Sequence, residues 1–175
     1  MKIDKNSYGT IALSWLISAA LTLLILKTIG MNTVGYTISV LVLLFSVFVT
    51  WFHRVPVRHT PEGDRIVTSG ADGKVVIIKK VYEKEYLKRE CMQVSVYMDF
   101  FNVHANFWPV TGKVSYYKYH PGRYLLAFLP KAAEENEHSS TAIDTGKEEI
   151  FFKQIAGTFA RRIVCYSQEG SEEQR

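Results

Sequence analysis

Residues 33–52 read TVGYTISVLVLLFSVFVTWF, a run with no Lys, Arg, Asp or Glu. Just upstream, residues 11–26 read IALSWLISAALTLLIL, and residues 27–32, containing Lys27 and Gly30, link the two runs. At about 1.5 Å of rise per residue the runs make helices of roughly 30 and 24 Å. The second matches a hydrocarbon core of about 30 Å and the first is short for it. Trp15, Tyr36, Trp51 and Phe52 fall where interfacial aromatics are favoured. The pattern predicts a helical hairpin over residues 1–52 that spans the bilayer or is embedded in it as an anchor. A signal peptide fits poorly, because the first run is long for one and no A-x-A site precedes the second. Lys2 and Lys5 precede the hairpin, His53, Arg54, Arg58, His59 and Arg65 follow it, and the link has one Lys. By the positive-inside rule, both ends and the body then lie on the cytoplasmic face of the cell membrane.

Outward from the hairpin the charge changes abruptly. Overall the 175 residues are 47% hydrophobic and 22% charged, with a net charge of +4. Residues 1–52 carry +2, residues 53–131 carry +6 and residues 132–175 carry −4. A basic stretch beside an anchor favours anionic headgroups, by about 1 kcal/mol per well-placed Lys or Arg. Nucleic acid is excluded as a partner, since there is no Arg-rich helix and no zinc-finger or RNA-binding signature. Cys91 and Cys165 are too few for a disulfide framework and read as reduced thiols in apolar strand-like runs.

From residue 53 onward the sequence reads as short β-type runs. These are KVVIIKKV at 74–81, QVSVYM at 93–98, KVSYYKY at 113–119, YLLAFL at 124–129, residues 150–155, and RRIVCY at 161–166. Asp72-Gly73, Thr111-Gly112, Pro121-Gly122 and Thr145-Gly146 punctuate them as turns. This spacing predicts a mainly antiparallel β domain over residues 53–175, giving an α+β chain with the N-terminal hairpin. Residues 154–160 read as a short helix and residues 131–140 (KAAEENEHSS) as an exposed loop.

Three features carry chemistry. Asp72 precedes Gly73 and a β run, a context that also suits a plain turn. His104 lies in FNVHAN at 101–106 between apolar runs, where a hydrogen-bonded core histidine is the simpler reading. Arg161-Arg162 suits a carboxylate, a phosphate or a solvated strand edge. An Asp and a His can form a pair of base and orienting group that makes a hydroxyl nucleophilic, but sequence spacing does not show that these two meet.

Together these segments resemble the phosphatidylserine decarboxylase family, in its shorter branch. The matching stretches are FHRVP at 52–56, ADGKVV at 71–76, QVSVYM at 93–98 with NVH at 102–104, and PVTGKV at 109–114. They continue with YHPG at 119–122, AFLPK at 127–131, ENE at 135–137, QIAG at 154–157, ARRIVCY at 160–166 and Glu169-Gly170. Each is weak alone, but their order and gaps are the family's. The resemblance implies a self-processing lyase that converts phosphatidylserine in an anionic membrane to phosphatidylethanolamine and CO2. In that family a serine after a glycine cleaves the chain and becomes a pyruvoyl group on a small partner chain. The group forms a Schiff base with the substrate amine and acts as an electron sink. The resemblance assigns His104 as the base in self-cleavage and Asp72 as its orienting group. It implies no metal, leaves the headgroup-binding residues unassigned and is compatible with a homo-oligomer.

Three departures are visible. Gly70 stands where the family commonly has Pro, which loosens the turn at Asp72. Phe101 stands where longer members have a second His. The family's Gly-Ser pair is expected beyond the Glu169-Gly170 segment, so residues 1–175 correspond to the large-subunit part and cannot by themselves make the pyruvoyl group. Gly170-Ser171 aligns instead with an acidic turn. The competing reading is a catalytically inactive, membrane-anchored β domain that binds anionic lipid. A carrier or β-hammerhead module lacks the required Lys between two Met at a hairpin tip.

Overall fold

The computed structural model describes all residues except Met1, Glu62, Asp64, Arg65, Ala127, Phe128, Pro130 and Arg175. Arg65 and part of the AFLPK stretch therefore lie outside the described residues. The chain forms two compact units: residues 1–57 with 103–105, and residues 58–102 with 106–175.

In the first unit, β1 (Lys2–Ile3) pairs antiparallel with β2 (Arg54–Val55), which brings the two ends of the hairpin together. Between them run α1 (Tyr8–Thr28) and α2 (Thr33–Phe52), joined by a turn in which Gly30 has φ 95°. The first apolar run thus extends further at both ends than the sequence suggests. At 21 and 20 residues both helices reach about 30 Å. The Asn32 side chain caps α2 by accepting from the Gly35 N–H at 3.0 Å. A Cβ on Gly35 would lie 2.2 Å from the Gly30 carbonyl oxygen, so the tight link requires glycine there.

The packing between these helices is polar and the outside is apolar. Ser18 and Ser46 share a buried hydrogen bond of 2.8 Å. Ser46 also donates to the Ser14 carbonyl at 3.0 Å, and Trp15 Nε1 donates to Thr50 at 3.0 Å. Leu16, Leu23, Leu41 and Phe45 are each more than 60% exposed. A soluble helical pair would bury these leucines and expose the serines. Small residues between helices with leucine outside is the arrangement favoured in lipid. Both helices are long and apolar enough to cross a membrane.

In the second unit, β3 (Lys74–Tyr82) and β4 (Glu90–Tyr97) form an antiparallel hairpin from Lys74↔Tyr97 to Tyr82↔Glu90, with a bulge between Val75 and Ile77. Its loop is built by one carboxylate: Glu83 accepts from the N–H groups of Glu85, Tyr86 and Leu87 at 2.7–2.8 Å. A four-stranded antiparallel sheet follows in the order β7-β6-β5-β8. It comprises β5 (Gly112–His120), β6 (His138–Asp144), β7 (Glu149–Ile155) and β8 (Glu172–Glu173), with a single helical turn, α3 (Ala132–Glu135), before β6. Val114, Ala142 and Ile143 are its most buried apolar residues. Tyr86 anchors the hairpin loop to this sheet by stacking on Tyr116, with ring centroids 4.7 Å apart.

The mainly antiparallel expectation holds, and several local expectations do not. The stretch expected as an exposed loop, residues 131–140, contains α3 and the start of β6, and residues 136–141 are buried. Strand β6 escaped notice because His138, Ser139, Ser140 and Thr141 are polar. Partners make their burial tolerable: Ser140 donates to Glu85 at 3.1 Å and Thr141 meets Ser167 at 3.3 Å. Tyr124, Leu125 and Leu126 form no strand. The buried Asn136 amide takes the place of a ladder neighbour, accepting from Leu125 N–H at 2.8 Å and donating to its carbonyl at 2.9 Å. Residues 154–160 are not helical, because β7 runs on to Ile155 in register with His138. Residues 161–166 form no strand either; Arg161 instead lies 4.8 Å above the Tyr124 ring. Cys91 and Cys165 are free thiols, half-buried, and only Cys91 is in a strand.

Candidate active-site residues and a carboxylate–histidine cluster

Asp72 lies in the bend that leads into β3, not in a strand. Its carboxylate pairs with the Arg58 guanidinium, and both side chains are over a third exposed. Such a pair is worth no more than about 1 kcal/mol, so it orients the carboxylate more than it stabilises the fold. Gly73 fixes the backbone beside it. A Cβ there would stand 2.2 Å from the Tyr97 carbonyl oxygen, so only glycine lets the chain pass β4 this closely. The bend is also held without the missing proline. Gly70 accepts from Phe107 N–H at 2.8 Å, and the Ser69 hydroxyl donates to the Ala71 carbonyl at 2.7 Å. The loosening expected from Gly70 is thus countered by these bonds.

His104 lies in the loop between β4 and β5 and belongs to the first unit. Its ring stacks on Phe52, the last residue of α2, with centroids 4.3 Å apart and an interplanar angle of 31°. Stacking fixes the ring plane and keeps both nitrogens at its edge. Asp72 belongs to the second unit. Phe101 is 67% exposed and meets Phe100 edge-on at 5.7 Å.

Ser171, in the one Gly-Ser pair of the sequence, is engaged in a turn. Its hydroxyl contacts the Gln168 carbonyl and the Glu173 carboxylate, both at 2.8 Å. Neither is a histidine-type base, and the backbone on both sides is tied to Val114. Among the described contacts, the Glu173 carboxylate is the one group that could serve this hydroxyl as a base.

A third constellation went unread in the sequence. Glu85, at the hairpin loop, points to the four-stranded sheet and meets side chains from three strands. His120 of β5 lies 2.7 Å from Oε1, while Lys153 of β7 at 2.7 Å and Ser140 of β6 at 3.1 Å hold Oε2. Burial alone would raise this carboxyl, but Lys153, then His120 and Ser140, outweigh it and hold the group down at about 2. His120 and His138 are a cross-strand pair at the end of β5 and β6, and their rings stack 4.4 Å apart. The residues are far apart in the chain; their one link to the sequence reading is that His120 lies within the YHPG stretch and His138 directly follows ENE.

Comparison with known proteins bears on all of these residues. The phosphatidylserine decarboxylase family profile matches residues 45–175. The phosphatidylserine decarboxylase proenzyme of Porphyromonas gingivalis is 38% identical over 173 residues, covering 97% of this chain and 78% of that protein. The proenzyme of Amoebophilus asiaticus is 38% identical over 174 residues, covering 98% and 77%. That of Syntrophus aciditrophicus is 47% identical over 133 residues, covering 75% and 62%. The match thus takes in the Asp72 bend, the His104 loop and, in the first two relatives, the apolar hairpin. Identity at this level over nearly the whole length means that the chain belongs to the phosphatidylserine decarboxylase family.

Proposed function

We propose that this chain is the large, membrane-anchored part of an enzyme that decarboxylates phosphatidylserine to phosphatidylethanolamine. The observation that carries the reading is the match to decarboxylase proenzymes over 97% of the chain, through both Asp72 and His104. The inside-out packing of α1 on α2 supports an anchor, which would hold the enzyme beside a substrate that is itself a lipid. Basic residues flanking the hairpin support a body on the cytoplasmic face.

The pyruvoyl group implied by the family would supply an electron sink for decarboxylation. The occupied hydroxyl of Ser171 supports a different serine, contributed from outside residues 1–175, as its precursor. In this reading His104 takes the proton of that serine during self-cleavage, with its ring plane set by Phe52. The resemblance gives Asp72, whose carboxylate pairs with Arg58, the role of orienting group. The small chain that carries the group is then the obligatory partner.

The test is a version extended through a family-type Gly-Ser segment, assayed for chain cutting by intact mass and for CO2 release from phosphatidylserine vesicles. Both are expected. A folded, membrane-bound extended chain that stays uncut and binds anionic vesicles would favour the inactive lipid-binding domain instead.

A further inference from the structure

We propose that Glu85, His120 and His138 form a three-ligand site for a borderline divalent cation, with zinc the best fit. One donor atom from each of the three lies within 4.8 Å of the other two. They come from separate places, the β3–β4 loop, the end of β5 and the start of β6, so a bound ion would cross-link the hairpin to the sheet.

Two donors, on His138 and Glu85, are already oriented, whereas the His120 ring bonds Glu85 and would tilt out of its near-parallel stack on His138 for both imidazoles to meet one ion. His138 Nδ1 donates to the Asn136 carbonyl at 2.8 Å, because a carbonyl can only accept. That fixes the tautomer and leaves the lone pair on Nε2, which no described hydrogen bond uses. A backbone carbonyl behind a histidine is a common support for a metal ligand. Asn136 is itself pinned by bonds to Leu125 and Ala156. Glu85 is held through its other oxygen by Lys153 and Ser140, while Oε1 faces His120 at 2.7 Å and accepts a longer bond from the Tyr116 hydroxyl at 3.3 Å. His138 is 8% exposed, and the His120 and Glu85 side chains are 25% and 16% exposed. The site is therefore sheltered but not closed to solvent, and water would supply a fourth ligand. Two imidazoles and one carboxylate suit zinc and its neighbours, not magnesium or calcium, which favour all-oxygen sets.

The opposing arrangement is the ion-free one, in which His120 bonds Glu85 directly and Lys153 balances its charge. Zinc would replace the His120–Glu85 hydrogen bond. Lys153 binds the outer oxygen and is 32% exposed, so it can retreat to solvent. The two arrangements differ in whether the protein retains metal.

The experiment uses the full chain in detergent, purified without a polyhistidine tag, stripped with chelator and then given zinc chloride. We expect one zinc retained per chain by elemental analysis, and a melting temperature raised by zinc and returned by chelator. His138→Phe keeps the ring stack but removes the donor, and should weaken zinc binding about tenfold or more. Glu85→Gln, which keeps size, should do the same; His53→Ala and His59→Ala should not. Failure of the unmodified chain to retain zinc or shift its melt overturns the site. So does equal retention by His138→Phe, or loss of zinc from His53→Ala or His59→Ala.

Discussion

His104 and Asp72 separate an enzyme from a scaffold at the scale of single residues. A serine hydroxyl is a poor nucleophile at neutral pH and needs a base, for which a histidine with an ordinary value near 6.5 is suited. In the extended version, His104→Ala should leave the chain uncut while it still folds and reaches the membrane. Asp72→Asn should slow cutting in the same way. The checks are intact mass for cutting and a thermal melt for folding. Normal cutting in His104→Ala would remove its assignment as the base, whereas loss of the melt would make it a core histidine. Phe52→Ala removes the ring under His104 and should slow cutting less than His104→Ala does. Glu85 gives a pH prediction. Its carboxyl is held at about 2, against an ordinary 4.5, so its stabilising contribution is present above 4.5 and is lost as pH falls toward 2. The ceiling is about 3 kcal/mol. Unfolding of the original chain and of Glu85→Gln should therefore differ most near neutral pH and converge in that acid window. A constant difference across the window would mean that Glu85 acts by packing alone.

At the scale of elements, residue chemistry announced some strands and concealed others. The apolar runs of β3, β4, β5 and β7 lie close to where β-branched and aromatic residues placed them. β6 was illegible because its inward side chains are hydroxyls and a histidine, whose burial makes sense only with Glu85, Ser167 and Asn136 in place. Residues 124–126 and RRIVCY misled for the converse reason: apolar composition alone does not supply a ladder partner. In the hairpin, Ser46 is fully buried and bonded to both Ser18 and the Ser14 carbonyl. Ser46→Ala should cost about 0.6 kcal/mol, the typical worth of such a bond between membrane helices. Ser46→Leu should cost about 1–3 kcal/mol through overpacking. Denaturation in detergent micelles, followed by helix signal, measures both; an unchanged midpoint in Ser46→Leu would mean that α1 and α2 do not pack through this residue.

The whole molecule tests whether anchor and catalysis belong together. The chain should stay with membranes through high salt and carbonate, and deletion of residues 1–52 should weaken that retention. Full release by salt alone would refute an embedded hairpin. Residues 1–175 alone should neither cut themselves nor release CO2, whereas the extended version should do both. Turnover by residues 1–175 alone would make Ser171 or another group the precursor, against the bonded turn in which its hydroxyl lies.

Local sequence determined the apolar hairpin, the β character of the body and the family. Helix length, β-branched runs and ordered short motifs are properties of neighbouring residues, so they are legible along the chain. Tertiary structure alone decided which way the hairpin faces itself, with serines inward and leucines outward. It also decided that a polar run is an inner strand of the sheet. The meeting of Glu85, His120, His138 and Lys153 was likewise hidden, because strand pairing and loop packing set it. Those contacts join residues as many as 68 positions apart, as between Glu85 and Lys153, and no local preference encodes such a distance.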